Sequence, residues 1–144
     1  MARLPGSVLF ACTLNSIRSP IAAALLRQLH RGRIFVDSAG VRTAPIDPFA
    51  VAVMAEIGID LKSHHPKRFD ELDDTSFDLV ISLSPDAQHS AVELTRASAC
   101  EVEFWPVFDP TAVEGNREET LNAYRLVRDQ LRKRIAQRFP PPAP

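Results

Sequence analysis

A chain of 144 residues, 45% of them hydrophobic, has the length of one domain and enough apolar side chains to bury a core. Seventeen basic residues against eighteen acidic ones leave a net charge of −1, which excludes the strong basic field of a nucleic-acid binder. No apolar run approaches the roughly 20 residues that cross a bilayer, so no membrane partner is expected.

The opening MARLPGS is too short and interrupted to be a signal peptide. Val8 to Ala11 is then a short apolar run of the kind that forms a buried strand, and it leads straight into Cys12. Arg18 follows, beside Ser19 and Pro20. Ser19-Pro20 reads as a helix start, with the hydroxyl residue at the cap and proline at the first helical position. Thr13 to Arg18 must therefore form a loop between a strand end and a helix N-terminus, where successive backbone N–H groups can converge on an anion. Arg18 adds a planar fork for two oxygens of a phosphate-like group. The same positive field favours the thiolate of Cys12, the form that acts as a nucleophile.

Ile21, Leu25 and Leu29 lie on one stripe of the first helix, and Ile34-Phe35-Val36 reads as a second strand. Ala50, Val53, Met54 and Ile57 fall at helical spacing after Asp47-Pro48, with Gly58 as the stop. His64-His65 have no further ligand at metal-binding spacing, so no metal is expected. Phe77 to Ile81 reads as a third strand, Ser84-Pro85 as another helix start, and Glu101 to Trp105 alternates as an edge strand does. Cys100 is expected to be a packed thiol. With only Cys12 and Cys100 there is no disulfide framework, and a reactive thiolate suits a reducing cytoplasm.

Leu121, Tyr124, Val127, Leu131 and Ile135 give the apolar face of a long last helix that ends before PPPAP. Arg125, Arg128, Arg132, Lys133, Arg134 and Arg138 load the same helix with charge and are expected to form a solvated face. The alternation of strands and helices predicts an α/β fold: a single three-layer domain over 1–139, with a four-stranded parallel sheet, helices on both faces and the phosphate-binding loop after the first strand. The proline tail, 140–144, is expected to be disordered.

Cys12-Thr13-Leu14-Asn15-Ser16-Ile17-Arg18-Ser19-Pro20 resembles the Cys-x-Gly-Asn-x-Cys-Arg-Ser-Pro signature of the low-molecular-weight protein tyrosine phosphatases. Asp37-Ser38-Ala39-Gly40, Asp47-Pro48, Gly58-Ile59 with His64 behind it, and Asp109-Pro110 match in order, so the resemblance spans nearly the whole chain. It implies that Cys12 is the nucleophile that forms a phosphocysteine, that Arg18 binds the phosphoryl oxygens, and that Asp109 is the general acid. It also implies a phosphate-binding loop of Thr13, Leu14, Asn15, Ser16, Ile17, Arg18 and Ser19, supported by hydrogen bonds from Asn15, Ser19, Ser38 and His64. No cofactor is implied. An acid such as Asp109 is required on general grounds, because an ester oxygen leaves poorly as an anion.

Four departures stand beside the matches. Leu14 replaces the loop glycine, so a left-handed backbone there would bring strain or a differently built cradle. Ile17 replaces the second cysteine, which in relatives can trap the first as a disulfide. Thr111 and the VRTAPI segment lack the aromatics that wall a phosphotyrosine slot, and Ser84 stands where many members carry aspartate. The expected activity is hydrolysis of phosphomonoesters, protein phosphotyrosine foremost, with a phosphorylated protein or a small phosphomonoester as substrate. Inorganic phosphate or arsenate is the expected oxyanion ligand. Two alternatives remain: an arsenate reductase coupled to a small thiol, because arsenate mimics phosphate, and a non-catalytic phosphate-binding module.

Overall fold

The computed structural model describes residues 4–73, 76–96 and 99–141, so 142–144 of the proline tail lie outside the described residues. The first strand, β1 (Ser7–Cys12), is buried from Val8 onward with no polar face, as a central parallel strand must be. It pairs with β2 (Phe35–Gly40) on one side and β3 (Leu79–Ser82) on the other, and β4 (Glu101–Phe104) completes the parallel order β2-β1-β3-β4. Helices α1 (Arg18–Leu29), α2 (Pro48–Ala55) and α4 (Arg117–Arg138) bury Ile21, Leu26, Met54, Tyr124 and Val127 in one cluster with Val8, Phe10 and Cys12. Leu9 and Val80 pack instead with Ala91 of α3 (Pro85–Leu94) and with Phe69. The α/β sandwich of helices around a four-stranded parallel sheet is therefore the observed architecture. Among the described residues no helix is long and apolar enough to cross a membrane.

Element boundaries differ where polar residues carry a ladder. The second strand does not stop at Val36 but runs on through Asp37 and Ser38 to Gly40, because each pairs in register with β1, ending at Cys12 opposite Gly40. Pairing across the sheet outweighs the low strand preference of these residues. The third strand starts at Leu79 rather than Phe77 and takes in Ser82.

The arginines of α4 are not simply solvated. Arg128 is 8% exposed and donates to the Val53 carbonyl at 2.7 Å and to Glu56 at 2.8 Å, while Arg125 grips Glu56 at 2.8 and 3.0 Å. Arg134 lies 4.6 Å from the Trp105 ring centroid, and Arg138 pairs with Glu103. These contacts lock the end of α2 and the edge of the sheet to the last helix.

The hydrogen bonds from Arg125 and then Arg128 hold the Glu56 carboxyl at about 2, below its ordinary 4.5. A lowered folded value means that the cluster stabilises the fold above pH 4.5 and that this stabilisation drains away as pH falls toward 2. The Glu56 side chain is 37% exposed, so after solvent screening the contribution is about 1 kcal/mol. Thermal melts of wild type and Glu56→Gln should differ near pH 7 and converge between pH 4.5 and 2. A gap that stays constant over that range would rule out the titration.

Candidate active site

Cys12 ends β1 and Arg18 begins α1, so the loop between them sits at the carboxyl end of a central strand, where open α/β sheets bind ligands. Ser19 is not the helix cap. The N-cap is Ile17, with no side-chain cap, and Ser19 is buried in the first helical turn, its Oγ 2.8 Å from Cys12 Sγ. That oxygen accepts Asn15 Nδ2 at 2.9 Å, which leaves its own proton free to point at the sulfur, as a thiolate requires. The hydroxyl is thus diverted from capping, and the first-turn N–H groups remain available to an anion.

The left-handed position of the loop is Asn15, at φ 52°. Asparagine tolerates that conformation, so Leu14 needs no strained backbone and the missing glycine is explained. Asn15 is fully buried. Its Nδ2 also donates to Ser38 Oγ at 2.9 Å, and its Oδ1 accepts from the Lys67 amide at 2.9 Å. His64 Nε2 bridges the Asn15 carbonyl at 3.1 Å and Oδ1 at 3.2 Å, so this nitrogen carries the proton. Burial holds the His64 imidazole below its ordinary 6.5, with the bond to the Asn15 backbone acting the other way.

On its outer side, the loop's carbonyls are tied to the following segment. Cys12, Thr13, Leu14 and Ser16 accept from the amides of Val41, Arg42, Ala44 and Asp47 at 2.9 to 3.2 Å. Carbonyls engaged in this way do not repel an anion in the cradle. Gly40 permits the close approach: a Cβ there would lie 2.4 Å from the Arg42 oxygen, 2.8 Å from the Asn15 nitrogen and 3.0 Å from the Leu14 carbonyl carbon. All three are backbone atoms. Gly40→Ala should therefore cost about 1–3 kcal/mol of stability and depress turnover, read by melting and steady-state kinetics together. A variant matching wild type in both would show that the loop yields.

Arg18 donates from Nη1 to the Val107 carbonyl at 2.9 Å and from Nη2 to Thr13 Oγ1 at 3.4 Å. Asp109 begins a short 3-10 turn, its Oδ1 accepting the Thr111 amide at 2.9 Å and the Thr111 hydroxyl at 2.7 Å, while Oδ2 takes no part in either bond. Cys12, Thr13, Leu14, Ser16, Ile17 and Arg18 line a cavity of about 240 Å³ together with Asp109 and Thr111. Ala44, Pro45 and Asp47 complete it, and no aromatic side chain lines it. A larger cavity of about 430 Å³, bounded by Arg27, Asp37, His64 and Lys67, contains no thiol. Of these two cavities, the smaller is the one lined by Cys12.

Asp47 reads in the sequence only as a helix start. It does cap α2, accepting the Phe49 amide at 2.8 Å, but it also faces the cavity and accepts the Tyr124 hydroxyl at 2.9 Å. Burial, then the bond to Asp47, pushes the Tyr124 phenol up. The Val107 carbonyl left no sequence signal. Cys100 precedes Glu101, which pairs with Leu79 and through it lies level with Val8, at the opposite end of the sheet from Cys12. Five residues of strand put the two thiols about 16 Å apart along the strand direction alone. Burial pushes the Cys100 thiol up. Among the described residues no three His, Cys, Asp or Glu side chains cluster as metal ligands.

Residues 7–139 match the family model described as low molecular weight phosphotyrosine protein phosphatase. An arsenate reductase of Halalkalibacterium halodurans is 35% identical over 129 residues, 89% of this chain and 91% of the relative. A glutaredoxin arsenate reductase of Synechocystis is 30% identical over 128 residues, 89% and 92% of the two chains. The solved structure of the YwlE arginine phosphatase from Geobacillus stearothermophilus is 26% identical, with a TM-score of 0.76 over 92% of this chain and 90% of that one.

Proposed function

This chain belongs to the low-molecular-weight phosphotyrosine protein phosphatase family, and on that premise we propose that it hydrolyses phosphomonoesters, phosphotyrosine in proteins among them, through a phosphocysteine. The observation that supports this reading is the meeting of Cys12, Arg18 and Asp109 in one cavity of about 240 Å³. The thiolate of Cys12 attacks phosphorus in line with the ester oxygen while Arg18 and the loop amides hold the other oxygens and stabilise the charge that develops on them. Asp109 gives its proton to the leaving oxygen as the P–O bond breaks. Its carboxylate then takes a proton from water, which attacks phosphorus, breaks the S–P bond and releases inorganic phosphate with the thiolate restored. The aliphatic walls, Leu14, Ile17, Ala44 and Pro45, select for shape rather than for ring stacking.

A second reading is favoured by the relatives named arsenate reductases. Arsenate would bind in the same cradle, and Cys12 would displace a hydroxide that Asp109 protonates. A small thiol would then attack the Cys12 sulfur, leaving the S–As electron pair on arsenic as arsenite and forming a mixed disulfide for a second thiol to cleave. Both thiols must come from outside the molecule, because Cys100 lies far from Cys12.

Parallel assays of para-nitrophenyl phosphate hydrolysis and of arsenate reduction, the latter with glutathione or thioredoxin, separate the readings. Release of nitrophenol is the expected result. Arsenite production with glutathione and no ester hydrolysis would replace the first reading by the second, and phosphate binding without either reaction would leave only an oxyanion-binding module.

A further inference from the structure

Behind the loop, on the side of α3, side chains from two distant parts of the chain, Thr13 in one and Ser84 with Asp86 in the other, form one hydrogen-bonded group. Thr13 Oγ1 donates to Asp86 Oδ1 at 2.8 Å and lies 3.2 Å from Ser84 Oγ, and Ser84 Oγ donates to the same Asp86 oxygen at 2.8 Å. The Ala87 amide donates to it as well, at 2.9 Å. Burial works against the Asp86 carboxylate, but hydrogen bonds from Ser84 and Thr13 outweigh it and hold the carboxyl below its ordinary range. The first turn of α3 adds a favourable end of the helix dipole.

Direction is what makes this group matter. A threonine hydroxyl has one proton. Committing that proton to Asp86 turns the lone pairs of Thr13 Oγ1 toward Arg18 Nη2, which donates to it at 3.4 Å. The other arm of the guanidinium, Nη1, is held by the Val107 carbonyl at 2.9 Å. Arg18 is therefore gripped from two sides: one grip is backbone, and the other depends on a side chain two positions beyond Ser84.

We propose that Asp86 is a positioning residue for Arg18: by fixing the hydroxyl of Thr13 as an acceptor it presets the guanidinium plane for a tetrahedral oxyanion in the Cys12 loop. The proposal rests on the reading of that loop as an oxyanion site. Asp86 itself does not line the cavity and touches no reacting atom.

The test measures inorganic phosphate affinity by calorimetry and para-nitrophenyl phosphate kinetics for wild type, Asp86→Ala, Asp86→Asn, Thr13→Val and the Asp86→Ala/Thr13→Val double variant. A loosened guanidinium should weaken phosphate binding and lower kcat/KM about 10- to 100-fold in Asp86→Ala, the scale on which a misplaced catalytic group costs rate. The double variant should lose no more than Thr13→Val alone, because both changes break one chain of contacts. Asp86→Asn keeps an acceptor oxygen for Thr13 and should recover most of the loss. Phosphate affinity and kcat/KM within twofold of wild type in Asp86→Ala, losses that multiply in the double variant, or an Asp86→Asn as impaired as Asp86→Ala would each overturn the assignment. A wild type that neither binds phosphate nor turns over ester would instead remove the oxyanion reading beneath it.

Discussion

Replacing Cys12 with serine is expected to lower para-nitrophenyl phosphate turnover by about 10⁴-fold or more, the scale seen when a covalent nucleophile is removed, while phosphate still binds. A serine hydroxyl at that position is a far weaker nucleophile than the cysteine sulfur. Phosphate binding should survive because Arg18 and the loop amides do not depend on the sulfur. Kinetics of the variant, paired with calorimetric titration of phosphate, check both halves. Substantial residual turnover would exclude a phosphocysteine, and a loss of binding along with turnover would mean that the substitution had collapsed the loop.

Asp109→Ala should slow turnover by about 10² to 10⁴, the usual range for a lost general acid. The loss should depend on the ester. Nitrophenolate leaves readily without help, whereas the oxygen of phenyl phosphate or an alkyl phosphate needs a proton, so the variant should be hurt most on the substrates with the most basic leaving groups. Comparing kcat/KM for para-nitrophenyl and phenyl phosphate in both proteins measures this directly. An equal loss on both would assign Asp109 to binding or loop structure rather than to proton transfer. The geometry allows the acid role: Thr111 holds one carboxyl oxygen through two hydrogen bonds, and the residue is open to solvent for recharging.

Much of the fold was legible because its signals are periodic or local. The stripe of Leu121, Tyr124, Val127, Leu131 and Ile135 is buried on α4 as helical spacing requires, and Asp47-Pro48 caps α2 through a bond to the Phe49 amide. Ser19 reads as a cap in the sequence because Ser-Pro carries the same signal whether the hydroxyl caps a helix or turns to a sulfur, and only the three-dimensional position of Cys12 decides. The polar half of β2 was invisible for a related reason: Asp37 and Ser38 are strand residues through their partners in β1.

Loss of legibility was greatest at the site's supporting contacts. Asn15, rather than position 14, carries the loop's left-handed turn, and the Lys67 amide that anchors it lies on a loop with no periodic pattern. Thr13 and Asp86 meet only because β1 and β3 are neighbours in the sheet. The arginines of α4 read as a solvated face because a helix pattern shows charge and spacing but not which neighbouring helix exposes a carbonyl, as Val53 does to Arg128.

The separation of the two cysteines bears on survival under peroxide. If Cys12 is oxidised to a sulfenic acid, Ile17 in the same loop offers no thiol, and Cys100 sits at the far end of the sheet with burial disfavouring its thiolate. No internal disulfide can then intercept the oxidised sulfur before it advances to the sulfinic state, which most proteins cannot reverse. Repair falls to glutathione-like molecules diffusing into the pocket, so the working lifetime of the protein follows the redox buffer around it.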